Sequence, residues 1–153
     1  MIFKPVRTPC VGVCSTGMGG SVCRGCKRFA HEVIDWNAYS NEQRYTIVKR
    51  LETLLSQVVA AKIQVLNEAL LKEQLEHQQI RFNRDSDPHC WVFDLLKAGA
   101  RQIEDLAPYG LELQPEWGKC QLVEVRDAID QDFFTLSSAH FDRYIAPGLL
   151  QQA

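Results

Sequence analysis

Four cysteines near the start of the chain have the types and spacing to do chemistry. Cys10, Cys14, Cys23 and Cys26 follow the pattern C-x3-C-x8-C-x2-C. A thiolate is a soft, charged donor suited to zinc, iron–sulfur clusters or cuprous copper. The two-residue gap between Cys23 and Cys26 lets both sulfurs face one centre, and Gly25 eases the turn between them. Val11-Gly12-Val13 separates the other pair by three residues, a spacing that zinc sites also use. The loop between the pairs, Ser15-Thr16-Gly17-Met18-Gly19-Gly20-Ser21-Val22, is shorter than the spacer of a common zinc ribbon. The pattern therefore reads as a metal knuckle without a sheet of its own, against the plain alternative of four unligated cysteines. His31 could stand in for one ligand, but four thiolates already complete a tetrahedral shell.

Charge around the cysteines fits the same reading. Four thiolates on one zinc, or on a four-iron cluster, carry a formal charge of about -2. Residues 1–31 hold Lys4, Arg7, Arg24, Lys27 and Arg28 and no acid, which would offset it. This structural use of the basic start is preferred to nucleic-acid binding, which would need a larger basic surface or an aromatic stacking platform. The whole chain, at net charge -2 and pI about 6.1, is no generic polyanion binder. Residues 82–153 lean the other way, with six basic and twelve acidic side chains.

Other chemistry is sparse. His89-Cys90 and Cys120 are too few for a second metal site; a buried cysteine with a helix-start histidine is the better reading. Asp127, Asp130 and Asp132 lack the spacing of a calcium loop. No Ser/His/Asp arrangement, phosphate-binding glycine loop or dinucleotide fingerprint is present, and His140 stands alone. No catalytic residue is assigned, and the chain reads as a non-enzyme more readily than as an enzyme.

The elements that must position the cysteines follow from periodicity and breakers. Residues 1–39 form a cysteine-rich module, broken by Pro5, Pro9 and its glycines, with too little apolar surface to fold by burial alone. A short helix is expected from about Lys27 to Trp36, with Phe29, Val33, Ile34 and Trp36 covering one side of the site. Trp36 reads as a lid on the site before it reads as a partner contact. Ser40 and Gln43 make a capping box. From there to about residue 81 there is no glycine or proline, and Val48, Leu51, Leu55, Val58, Val65 and Leu66 recur at helical steps. Residues 40–82 are thus expected as a long helix, on the order of 60 Å at about 1.5 Å per residue. It must pack on the C-terminal region, pair with another chain as a homodimer, or break; Lys62 interrupts the seam a coiled coil would need. Arg44, Lys49 and Arg50 read as its solvated face.

Residues 83–153 form an α-rich region. Asp87 caps a helix that begins at Pro88; Leu111–Leu113 and Gln121–Val125 alternate as a short β-hairpin about a Pro115–Gly118 turn; a last short helix around Phe141–Ile145 stops at Pro147-Gly148. The fold class is mainly α. With no apolar run of signal-peptide or membrane-span length, the expected compartment is the cytoplasm, where thiols stay reduced and bind metal before they pair.

The ordered residues Thr8-Pro9-Cys10-Val11-Gly12-Val13-Cys14, Cys23-Arg24-Gly25-Cys26-Lys27-Arg28, Glu32-Val33-Ile34-Asp35-Trp36 and Ser40-Asn41-Glu42-Gln43-Arg44 carry a family likeness. The chain resembles, over about residues 8–52, the bacterial domain-of-unknown-function family 1289. The resemblance implies an iron–sulfur cluster on Cys10, Cys14, Cys23 and Cys26, and it supplies no reaction or substrate. Two uses stay open: an iron–sulfur protein acting through redox or contacts with an unknown protein partner, or a zinc-stabilised module for protein or nucleic-acid interaction.

Overall fold

Glu32 builds the first helix around itself. Its carboxylate accepts from the Phe29 N–H at 2.9 Å and so caps α1, Ala30–Ile34. A 3-10 turn at Trp36–Ala38 follows. The expected capping box is present. The Ser40 N–H donates to Gln43 Oε1 at 2.8 Å, and the Gln43 N–H donates to Ser40 Oγ at 3.1 Å, which satisfies two donors at the start of α2, Asn41–Ala60. The computed structural model describes residues 6–11 and 21–151. It divides into two units: the chain through Leu54 together with the chain from Phe133 onward, and the continuous stretch Leu55–Asp132.

The helix expected over residues 40–82 does not run that far. After α2 the chain turns, forms β1 at Ile63–Val65, and resumes as α3 at Glu68–His77, with Asn67 Oδ1 accepting from the Leu70 N–H at 3.0 Å. The cause lies far away in sequence. Lys62 is only 4% exposed, and its Nζ donates to Asp132 Oδ2 at 2.5 Å and lies 5.0 Å from the Trp117 ring centre. Ile63-Gln64-Val65 then pairs with Leu111–Leu113, β2, in antiparallel register. Tertiary pairing of a triplet with two β-branched residues outweighs a helix-favouring composition.

The second unit closes around Val59, Ile63, Leu71, Leu75, Val92, Leu95, Leu96, Val125 and Ile129, all fully buried. Side chains of this size contribute roughly 1.5–3 kcal/mol each on burial, so this core owes nothing to a metal. Helix α4, Pro88–Gly99, starts as expected: Asp87 Oδ1 accepts from the His89 N–H at 2.8 Å. Gly110 joins the strands at φ +71°, and its carbonyl accepts from the Leu66 and Asn67 N–H groups at 2.8 and 3.0 Å.

Two expectations in the C-terminal region are corrected. Leu111–Leu113 is a strand, but its partner is β1. Gln121–Val125 instead opens α5, Leu122–His140, where the Gln121 N–H donates to Glu124 Oε2 at 3.0 Å. Val125 and Ile129 are four residues apart and both enter the core, so the apolar spacing there is helical. The last helix does not stop at Pro147-Gly148. A π-helical segment, Phe141–Ile145, runs into α6, Ala146–Gln151, which contains both Pro147 and Gly148. No helix of the described residues is long and apolar enough to cross a membrane.

Candidate metal centre

The segment Ser21–Ala30 folds back on itself. Val22 and Phe29 form an antiparallel bridge, and the Ala30 N–H donates to the Ser21 carbonyl at 2.8 Å. Inside that bridge the Cys23 N–H donates to the Arg28 carbonyl and the Lys27 N–H to the Cys23 carbonyl, both at 2.8 Å. Cys23 and Cys26 therefore sit on one tight turn, and both are buried, at 1% and 7% exposure.

The residue after Cys26 must adopt a left-handed conformation to close the turn. Lys27 does so at φ +66°, which costs a non-glycine residue about 1–2 kcal/mol. Its ammonium offsets the strain by donating to the carbonyls of Arg24 at 2.5 Å and Gly25 at 3.1 Å. It also lies 5.7 Å from the Phe133 ring centre. Lys27 is thus a buried brace of the turn, and Arg24 stacks on Phe134 with its guanidinium 4.2 Å from the ring centre.

Arg28 completes the turn from outside. Its Nε donates to Cys26 Sγ at 3.1 Å, and its guanidinium lies 4.9 Å from the Trp36 ring centre. Burial pushes the Cys26 thiol up, the Arg28 hydrogen bond and charge pull it down, and neighbouring Cys23 pushes it up again; the net direction is upward.

Trp36 is buried, in keeping with its reading as a lid. Arg44 lies 5.6 Å from the ring centre and donates from Nε to the Trp36 carbonyl at 2.9 Å and from Nη2 to the Asn37 carbonyl at 3.2 Å. Arg50 grips Glu32 with two bonds, Nη1 to Oε2 at 2.7 Å and Nη2 to Oε1 at 2.6 Å, and lies 4.0 Å from the Phe29 ring centre. Arg44 and Arg50 are therefore not the solvated face that their helical spacing suggests. Glu32 and Arg50 are eighteen positions apart, and no local pattern joins them. Phe29 also meets Phe141 edge-on at 5.3 Å and His140 at 6.0 Å.

The other expected ligands are placed differently. Cys10 is exposed in the irregular stretch 6–11, and Cys14 lies outside the described residues. Among the described residues no group of three or more His, Cys, Asp or Glu gathers to hold a metal. His31 and Ile34 are exposed. The chemistry of the donors present fits a thiolate centre at its Cys23–Cys26 half: two buried sulfurs on one turn, with a guanidinium donor already directed at one of them. His89 pairs its Nδ1 with Asp87 Oδ1 at 2.7 Å, and Cys90 is buried. A cavity of about 1030 Å³ in the second unit is lined by Leu66, Ile103, Glu104, Glu112, Cys120 and Gln121, among others, but not by His89, His140 or the Asp127–Asp132 stretch.

Fold and site together define a mainly helical protein with a buried Cys-x-x-Cys turn braced by cations. Residues 8–55 match the family described as Protein of unknown function (DUF1289). The same region is similar to the uncharacterized protein YdhL of Escherichia coli strain K12, at 36% identity over 47 residues, which is 31% of this chain and 58% of the relative. YdhL of Shigella flexneri gives the same figures. The chain thus spans a little over half the length of these curated relatives. No solved structure matches.

Proposed function

We propose that Cys10, Cys14, Cys23 and Cys26 hold one metal centre, that the bound group is an iron–sulfur cluster, and that the protein acts without catalysis, through redox or contact with a protein partner. The observation that carries this reading is the Arg28 Nε–Cys26 Sγ hydrogen bond inside a buried Cys-x-x-Cys turn. A charged donor aimed at a buried sulfur suits a thiolate better than a neutral thiol. Lys27 and Arg28, at 2% and 3% exposure, are spent on this turn and withdrawn from any phosphate. That supports charge balance over nucleic-acid binding. The family resemblance favours the cluster over zinc. When bound, a cluster would supply one-electron chemistry and cross-link the N-terminal segment; zinc would supply the cross-link alone.

Anaerobic purification followed by metal and sulfide analysis and absorption spectroscopy tests the proposal. A brown protein containing iron and acid-labile sulfide is the expected result. A colourless protein with one zinc per chain overturns the cluster and leaves a zinc-stabilised interaction module. A protein that takes up neither metal nor cluster overturns the centre itself.

A further inference from the structure

Arg28 touches both cysteines of the turn. Its carbonyl accepts from the Cys23 N–H at 2.8 Å, while its Nε donates to Cys26 Sγ at 3.1 Å. It is 3% exposed, so bulk water does not compete for that guanidinium. Its guanidinium carbon lies over the Trp36 ring, 4.9 Å from the ring centre, which restricts how it can turn. Trp36 is itself fixed by Arg44, whose Nε holds the Trp36 carbonyl at 2.9 Å. The nearby carboxylate of Glu32 is engaged by Arg50. The sulfur therefore receives a donor of fixed direction. A lysine could bring the charge but not the plane.

We infer that Arg28 is a positioning residue of the thiolate centre, fixing the Cys26 sulfur through Nε while Trp36 fixes Arg28. The inference rests on the metal-centre reading above. Groups that hydrogen-bond a metal ligand from outside orient it and tune it, and their loss costs about 10–100-fold in metal affinity.

The test uses the full chain, reduced, metal-free and anaerobic, titrated with Co(II) against a competing chelator. The thiolate-to-cobalt charge-transfer band reports the state of the sulfurs independently of any activity. Arg28→Gln should weaken Co(II) binding about 10–100-fold. It should also move the band to longer wavelength, because losing an N–H donor raises the sulfur lone pairs. Arg28→Lys should fall between. Trp36→Leu should reproduce part of both changes, and the double variant R28Q/W36L should be no worse than R28Q. R28Q binding within about threefold of wild type, with an unmoved band, overturns the inference. Additive effects of R28Q and W36L overturn the role given to Trp36. Should R28Q lose its helical signal, R28K decides: wild-type affinity and band position overturn the inference. A wild-type protein that gives no thiolate–cobalt band refutes the metal centre itself, a separate result.

Discussion

Replacing Glu32 with glutamine should unfold the N-terminal unit at markedly lower denaturant. The side chain is 7% exposed and accepts three N–H donors: the Phe29 amide at 2.9 Å and two Arg50 guanidinium nitrogens at 2.7 and 2.6 Å. Glutamine keeps one oxygen, but it turns the other into an amide nitrogen facing a guanidinium. Breaking one side of a buried pair costs about 3–5 kcal/mol, because the remaining charge is left without its partner. The Arg50 side chain is 20% exposed, so water recovers part of that loss and the low end, about 3 kcal/mol, is appropriate. With a slope near 2 kcal/mol per M, the urea midpoint should fall by about 1.5 M. The assay is urea unfolding followed by helical signal, with exchange of the Phe29 amide as a local probe. Replacing both partners by methionine should cost less than the sum of the two single changes. A midpoint within about 0.3 M of wild type would show that the pair is solvated and the reasoning wrong.

Other predictions are more local. Serine at both Cys23 and Cys26 should abolish metal uptake and speed amide exchange through Trp36, while the second unit, whose core is apolar, keeps its protection; global loss of helix would refute this. Gly110→Ala places a Cβ 2.6 Å from the Asn67 carbonyl oxygen at φ +71°, so it should destabilise by more than the roughly 1–2 kcal/mol of left-handed strain alone, measured by thermal melting. Asp132→Ala strands the buried Lys62 ammonium and should destabilise, whereas Lys62→Met leaves only the half-exposed Asp132 carboxylate, which water solvates, and should cost less; thermal melting compares the two. Burial and the Arg50 charge hold His140 below its usual 6.5, against a smaller opposite pull from Glu32. Below that value the unfolded chain binds more protons than the folded one. Stability is then fully present above pH 6.5 and falls as pH drops through the lower folded value. His140→Gln should flatten that slope between pH 7 and 5; an unchanged slope would remove His140 as its source.

What was legible in the sequence was local. The Ser40–Gln43 and Asp87–Pro88 caps depend on side chains reaching their own backbone within three residues, and both form as read. The Cys23–Cys26 turn was legible for the same reason. What was missed depends on distant partners. Ile63-Gln64-Val65 fits a helix by composition and a strand by alternation, and only Leu111–Leu113 decides between them. Gln121–Val125 was misread because alternation over five residues also satisfies the four-residue step that takes Val125 and Ile129 inward. Arg28, Arg44 and Arg50 read as charge balance or solvated surface, because burial of a guanidinium against Trp36, Phe29 or Glu32 leaves no trace in spacing.

The N-terminal unit draws on both ends of the described chain, and this has a consequence for biosynthesis. Arg24, Lys27 and Phe29 are covered by Phe134, Phe133 and Phe141, residues translated long after them. The stretch Leu55–Asp132 is continuous and can close as it leaves the ribosome. The cysteine turn cannot: it must wait, with its thiols and Phe29 in water, until α5 is finished. Contacts so far apart in sequence form slowly. Until then the thiols that the finished unit buries stay open to solvent and to any oxidant in it.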